Sequence, residues 1–488
     1  MPQRQIQTDF SKLLESAVEE GLANLEPVVA ENKYLGTYYN FPTISYHENG
    51  MPSFFESPFG GPKDYTKAFR GGGMAYPTQP PLIPREELPS LKRLVDFVKD
   101  NLFIQQRLVP ENMISPAWDT EEERKFDFIT FSAEHIFEQL VDRYVHIYKT
   151  CVFDIESYRR IANPHLNGIF DERLYIDICV PILFLKFDFE SLEIDSNNTI
   201  EKIDEPFQLA RASKSSYGAG VHKSVLPAAT HMLVMKGWYI QNNNQWDLSN
   251  LVTESSVYPI EVINKYFASL RIITGHATGY AQVLMRPVEW SKTFIADLPS
   301  IEGTSVKAYP PKFEHYFWNV KEIPIISHGE AVNSINQFNL INTITENSIH
   351  VAIRRLNLCF LRENEEDSIL DATIGLEALL SDDERQEMTH KLAMRIATLT
   401  KVSDKFSHTP VEAYKCVKSI YAYRSAVVHG STKSDKKRII QFIDKPAKEA
   451  SILALEYLRL VIEVLLHHPK FRKPADIDKF LLEGCLVH

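Results

Sequence analysis

The chain has 488 residues, 44% of them hydrophobic and 24% charged, and a formal net charge of −11 at pH 7. This composition is typical of globular proteins, and the length favours two or three domains over one. The acidic total argues against a protein that coats nucleic acid. No apolar run approaches the roughly 18 residues of a transmembrane helix, and the first residues lack the apolar core of a signal peptide. We therefore expect a soluble, cytoplasmic protein with no membrane partner.

The negative charge is unevenly distributed along the chain. Residues 331–488 carry 22 Lys and Arg against 21 Asp and Glu, a net of +1. The preceding 330 residues carry 31 positive and 43 negative side chains, a net of −12. A polyanion is therefore expected to meet the C-terminal part of the chain rather than the acidic N-terminal part.

The first third of the chain is predicted to be helical with one long break. Residues 5–25 place Phe10, Leu14 and Val18 at helical spacing, which predicts an amphipathic helix. Residues 49–88 are rich in proline and glycine and are predicted to be a loop or linker. Helical patterns return at 90–108 and at 133–149.

Strand signals begin at about Arg173. Four segments are rich in β-branched and aromatic residues and are bounded by Asn, Gly and Ser, so they predict strands: RLYIDICVPILFLKFDF, HMLVMKGWYI, LRIITGHATGYAQVLMRPV and TFIADL. The middle of the chain is therefore expected to be α+β, with an extended sheet.

Helical periodicity replaces the strand pattern near Ile323. One long helix is predicted from Phe338 to Phe360, and shorter ones at 369–380, at 388–399, from Thr409, at 448–467 and after Pro474. Thr409-Pro410-Val411-Glu412 is a capping box with proline at the first helical position, and Gly430 is the expected stop.

The predicted fold class is α+β, a strand-rich mixed N-terminal region followed by an all-α helical bundle. Three segments are expected. Residues 1–125 are a helical and loop segment, 126–330 an α+β sensor or regulatory domain, and 331–488 the helical domain.

One pair of residues in the helical domain suggests chemistry. Arg424 and His429 lie five positions apart, which leaves them about 140° apart on an ideal helix, so they converge only if the helix ends near Gly430. RNA carries its own nucleophile, the 2′-hydroxyl. Its cleavage needs a proton-transfer group with a pKa near neutrality and a fixed cation, which histidine and arginine supply.

Neighbouring side chains extend this candidate site. Ser425 can donate or accept one more hydrogen bond. Flanking phosphates could be held by four cations just beyond the helix, Lys433, Lys436, Lys437 and Arg438. A structural alternative stays open, because an Arg and a His near a helix C-terminus interact favourably with the helix dipole, and the basic run also fits a solvated loop.

Three segments of the helical domain carry a family resemblance: ILDATIGLEALLS (369–381), KLAMRIATLT (391–400) and IYAYRSAVVHG (420–430). In order and spacing they resemble the Apea-like branch of the HEPN superfamily. The resemblance implies a helical bundle that dimerises and a metal-independent RNA endonuclease, often a toxin or a phage-defence effector. Arg424 and His429 match its functional positions, and serine at position 425 is usual in this branch.

The resemblance leaves some supporting roles open. Glu377 matches a recurrent acidic position, where it either braces Arg424 through a salt bridge or is an exposed helix residue. Tyr421 and Tyr423 flank the motif and either stack on a base or lie in the core, with the core favoured for Tyr421.

The expected function is therefore an endoribonuclease that leaves 2′,3′-cyclic phosphate ends and serves in antiviral defence or as a toxin. No cofactor and no metal are expected, because the sequence has no CxxC pair and no HExxH. The expected partners are RNA, a second copy of the chain, and a trigger ligand at the N-terminal region. The alternatives are a non-catalytic module for dimerisation or for RNA or nucleotide binding, and an N-terminal region that is itself the functional binder.

Overall fold

The computed structural model shows an α+β protein, which confirms the predicted fold class. It describes residues 3–57, 60–70, 80–108, 121–213, 220–243, 248, 251–316, 322–382, 387–403, 405, 408–430, 434–442 and 444–484. The chain forms two compact units. The first unit comprises residues 1–181, 195–258 and 282–306, and the second comprises 182–194, 259–281 and 307–488.

The helices of the first unit are Gln3–Ala30, Lys67–Arg70, Pro89–Lys99, Leu102–Leu108, Glu121–Tyr148, Ile155–Phe170 and Glu205–Ser213, with 3-10 turns at Arg85–Glu87 and Ser255–Val257. Those of the second unit are Ile260–Thr274, Lys312–Tyr316, His328–Thr343, Asn347–Leu361, Glu365–Leu380, Met388–Leu399, Pro410–Val428, Ser434–Arg438, Ala450–His467 and Pro474–Gly484, with a 3-10 turn at Pro469–Phe471.

The strands form one larger sheet and several short pairs. Five strands lying largely in the first unit follow the order Asn198–Lys202, Ala229–Gln241, Arg173–Leu183, Tyr280–Pro287 and Glu302–Ala308. The remaining described strands are Phe41–Tyr46 with Pro52–Ser57, Lys186–Phe187 with Ile325–Ile326, Ile439–Ile440 with Lys448–Glu449, and Ser191–Glu193.

The core of the first unit forms where the amphipathic helices meet. Phe10, Leu14 and Val18 of the first helix are fully buried, as their spacing predicted. They pack in one cluster with residues of the long helix Glu121–Tyr148, among them Phe137 and Val141. Burial of one such large apolar side chain contributes roughly 1.5–3 kcal/mol.

A second core holds the second unit together. Leu376, Leu392 and Tyr457, from three different helices, are fully buried in it. Ala268 and Ile272 of the helix Ile260–Thr274 belong to the same cluster. This core positions the end of the helix that carries Arg424 and His429.

Several local predictions for the N-terminal two thirds were wrong. The segment 270–274, predicted as strand, is the end of the helix Ile260–Thr274, which stops at Gly275 with a φ of +72°. TFIADL forms no strand, whereas Glu302–Ala308, which was not predicted, does. The predicted loop at 49–88 contains the strand Pro52–Ser57. Apolar β-branched runs in the interior suit buried helices and strands alike, which explains the first of these errors.

The predicted boundaries also differ from the observed ones. The long helix expected from Phe338 to Phe360 is two helices, separated at Ile344–Glu346. Each of the two compact units is built from several segments of the chain, and 259–281 belongs with the C-terminal residues. Among the described residues of 331–488 the structure is helical apart from one pair of two-residue strands, Ile439–Ile440 and Lys448–Glu449. None of the helices in the described part of the chain has the length and apolar character to cross a membrane.

Candidate functional site

The helix Pro410–Val428, called the motif helix below, begins as the sequence predicted. The Thr409 hydroxyl accepts a hydrogen bond from the Glu412 backbone N–H at 3.3 Å, and the Glu412 carboxylate accepts one from the Thr409 N–H at 2.8 Å. These reciprocal bonds satisfy two backbone donors that a helix N-terminus otherwise leaves without partners. The capping-box prediction is therefore confirmed.

The motif helix ends at the motif itself. His429 is its C-cap residue, with a φ of −91° and a ψ of 5°, and its N–H donates to the Ser425 carbonyl at 3.1 Å. Gly430 follows with a φ of +58° in the left-handed region that favours glycine, although a Cβ there would meet open space. The motif helix therefore continues past Arg424 to Val428 and ends at His429, whose N–H still makes a helical hydrogen bond to Ser425.

The Arg424 guanidinium has one described ion pair and one N–H donor without a described partner. Its side chain is 34% exposed, and its Nη2 lies 4.0 Å from Oε1 of Glu377 on the neighbouring helix Glu365–Leu380. Its Nε is buried and has no hydrogen-bond partner among the described residues. Of the two roles considered for Glu377, the salt bridge to Arg424 is the one present, at the long end of the range for such pairs.

Tyr421 lies on the same side of the motif helix as Arg424, one turn earlier. It is 6% exposed, so its predicted place in the core is confirmed. Burial, and secondarily the negative charge of Glu377, raise the pKa of its hydroxyl. Glu377 therefore faces both Tyr421 and Arg424, three positions apart on the motif helix.

Tyr423 does not fit the stacking role considered for it. It is only 2% exposed and belongs to the hydrophobic core of the second unit. Burial raises the pKa of its hydroxyl, with a smaller contribution from the carboxylates of Glu366 and Glu365. A ring enclosed in this way offers no face to a nucleotide base.

The exposed polar residues of the motif are Ser425 and His429. Ser425 lies in the last turn of the motif helix, and its carbonyl accepts a hydrogen bond from the N–H of His429, the C-cap residue. The His429 side chain is therefore accessible to solvent and to a ligand, whereas the Arg424 side chain, five positions earlier, is half-buried.

The basic residues beyond the helix differ in how free they are. Lys436 and Lys437 are exposed on the short helix Ser434–Arg438, and Lys437 Nζ donates to the Ala422 carbonyl of the motif helix at 3.4 Å. Arg438 is also exposed, but two carboxylates lie 3.6 Å and 3.7 Å from it. Lys433 lies outside the described residues. Of the predicted phosphate contacts, Lys436 and Lys437 therefore suit the role better than Arg438.

A metal ion has no evident place in the part of the chain that the structure describes. No group of three or more His, Cys, Asp and Glu side chains there has the arrangement of a metal site. The functional groups available for chemistry at the motif are the guanidinium of Arg424, the imidazole of His429 and the hydroxyl of Ser425.

The sequence reasoning missed a second cluster of charged residues, in the first unit. Arg70, Arg85, Glu134 and Glu138 surround a cavity. The only local signal is the four-residue spacing of the two glutamates, which places both on one face of a predicted helix. Their arginine partners lie 68 and 49 positions away in sequence, so no local pattern could have paired them.

Comparison with models of known protein families, with curated proteins and with solved structures gives no match to this chain. The assignment of a function therefore depends on the chemistry of the residues described above. The motif helix supplies a half-buried arginine and an exposed histidine at one helix end, followed by two exposed lysines.

Proposed function

We propose that the second unit is a HEPN-type RNA endonuclease that works without a metal, acts in the cytoplasm and serves as an antiviral-defence or toxin-like effector. Arg424 carries the proposal. Its Nε–H is buried without a described partner, and its only described ion-pair contact is the 4.0 Å approach to Glu377. Buried donors are normally hydrogen-bonded, so an unpaired one suggests that a ligand completes the site.

The chemistry follows from the groups at the helix end. A base removes the proton of the RNA 2′-hydroxyl, the 2′-oxygen bonds to phosphorus, and the bond from phosphorus to the 5′-oxygen breaks. The leaving 5′-oxygen takes up a proton. His429 is the proton-transfer group, and Arg424 stabilises the extra negative charge on the phosphoryl oxygens. The products are a 2′,3′-cyclic phosphate and a 5′-hydroxyl.

Two proton transfers with one histidine favour a homodimer or a larger assembly of dimers. An interface with two-fold symmetry beside the motif helix brings a second His429 and a second Arg424 to one phosphate. Lys436 and Lys437 then bind flanking phosphates of the RNA. The acidic first unit acts as the sensor that receives the trigger.

The second candidate is a non-catalytic module that binds RNA or dimerises. The contact between Arg424 and Glu377 favours it, because a carboxylate that neutralises the guanidinium makes it less available to a transition state. The two candidates can be distinguished by experiment, because only the endonuclease cleaves the RNA that it binds.

The test is cleavage of total RNA and tRNA by the full-length protein in EDTA, with analysis of the product ends. We expect cleavage in EDTA, cyclic phosphate ends, and loss of activity in His429→Ala. His468→Ala is the matched control, because His468 caps the end of a different helix in the same unit. Wild-type cleavage by His429→Ala, a strict Mg²⁺ requirement or efficient DNA cleavage would each contradict the proposal, and RNA binding without cleavage would favour the second candidate.

A further inference from the structure

A cavity of about 540 Å³ opens in the first unit. Its walls come from the short helix Lys67–Arg70, the 3-10 turn Arg85–Glu87 with the prolines before it, and the helix Glu121–Tyr148. Pockets of 300–1,000 Å³ with apolar walls and a few convergent polar groups are the usual size for small-molecule ligands.

Two arginines face this cavity, and each is held by a carboxylate. Arg85 Nη2 donates to Glu134 at 2.6 Å, and Arg70 donates to Glu138 and contacts Nδ1 of His135 at 2.7 Å. The side chain of Arg85 remains 66% exposed, and the described contacts engage only its Nη2. Guanidinium groups braced in this way present their remaining N–H groups to an anion with little loss of side-chain entropy.

The two glutamates contribute less negative charge to the cavity than their number suggests. Glu138 is 5% exposed, and burial raises its pKa to about 7 in spite of the hydrogen bond from Arg70. Burial also raises the pKa of Glu134, although Arg85, Arg70 and Lys99 oppose the shift. Near neutral pH the Glu138 carboxyl group therefore offsets the charge of Arg70 only in part.

One wall of the cavity is aromatic. The Phe131 side chain is 47% exposed, its ring stacks on His135 with centroids 5.6 Å apart and planes inclined by 9°, and the Arg70 guanidinium lies 5.8 Å from its centre. Phe69 and three prolines complete the apolar lining. An exposed, oriented ring next to a guanidinium is a surface on which a second planar ring can stack.

The geometry points to a binding site for a small molecule that joins a planar ring to one anionic group. Its ring stacks on Phe131, and its anion binds the free N–H groups of Arg85 and Arg70. A nucleoside monophosphate and an aromatic carboxylate share this chemistry. The inference does not depend on the proposed ribonuclease activity, because all of these residues belong to the first unit.

The experiment is calorimetric titration of the full-length protein with three sets of probes. The first set is the four nucleoside 5′-monophosphates, the second their uncharged nucleosides, and the third indole-3-acetate and benzoate. We expect a member of the first or third set to bind with a dissociation constant of about 1 mM or lower. The nucleosides should bind at least roughly tenfold more weakly, because each lacks the charge-assisted bond to arginine. The set that binds shows whether the natural ligand is a nucleotide or an aromatic carboxylate.

Variants then locate the binding. Arg85→Ala and Phe131→Ala should each weaken it by about tenfold, since one removes the anion contact and the other the stacked ring. Arg159→Ala is the matched control, an exposed arginine of the same unit that pairs with Glu156 away from the cavity lining. The inference is overturned if none of the charged probes binds at several times 1 mM, or if both variants bind as the wild type does.

Discussion

Replacing Arg424 by methionine separates a catalytic role from a structural one. Methionine keeps a long apolar stem against the neighbouring helices and removes only the guanidinium. The substitution removes one described ion pair, in which Nη2 of Arg424 lies 4.0 Å from Oε1 of Glu377. The side chains of Arg424 and Glu377 are 34% and 23% exposed. Partly exposed pairs contribute about 0–1 kcal/mol, and no described hydrogen bond of Nε is broken. We therefore expect a loss of stability below about 1 kcal/mol.

The expected effect on RNA cleavage is much larger. Removal of one donor that stabilises the transition state lowers the rate by about 10²–10³, or roughly 3–4 kcal/mol. The expected rise in the activation free energy of cleavage thus exceeds the expected loss of folding stability by about 2–3 kcal/mol. Arg424→Lys should recover part of the rate, since it keeps the charge and loses the two-pronged geometry.

Two measurements test this prediction together. Urea unfolding followed by circular dichroism gives the change in stability, and initial rates of RNA cleavage at saturating protein give the change in activity. Arg354→Met is the control, because Arg354 is exposed on the helix Asn347–Leu361 of the same unit. A stability loss of several kcal/mol, with activity falling only as the folded fraction falls, would make Arg424 a structural residue. An unchanged rate would remove it from the mechanism.

Four further outcomes are expected. Lys436→Ala with Lys437→Ala should weaken RNA binding and reduce the log–log salt slope by roughly two units, which filter binding at several salt concentrations would detect. The active species should sediment as a dimer or a multiple of one, and a fully active monomer would contradict the shared site. Thr409→Ala should lower the unfolding free energy by about 1 kcal/mol through loss of the cap. The stability of the first unit should fall as pH rises from about 4.5 to 7, because the folded state retains the Glu138 proton that the unfolded state releases, and Glu138→Gln should flatten this dependence in denaturation curves.

The helical C-terminal part shows where local reading of the sequence succeeds. Thr409, Pro410 and Glu412 act on backbone groups within one turn, so the start of the motif helix could be predicted without any tertiary contact. Gly430 marks the end for the same reason. Strand and helix assignments between 173 and 300 were less successful, since buried apolar runs carry no periodicity that separates the two.

Long-range packing explains what the sequence reasoning missed. Ala268 and Ile272 belong to the core of the second unit, and Arg459 of the helix Ala450–His467 donates to the Ile272 carbonyl at 2.8 Å. These contacts join segments separated by 187 positions, which no local pattern along the chain can pair. A domain boundary read from the sequence detects changes along the chain, whereas the units follow contacts in space.

By itself, the sequence determined that a helix capped at Thr409 ends just before Gly430, with Arg424 near its end and His429 next to the glycine, because those signals act over a few residues. Only the tertiary structure decided what surrounds them. It places Glu377 against Arg424, buries Tyr423 and leaves His429 exposed. It also assembles the cavity of the first unit from arginines and glutamates far apart in the chain. Burial and the pairing of charges depend on which elements pack together, and that packing is settled by the fold as a whole.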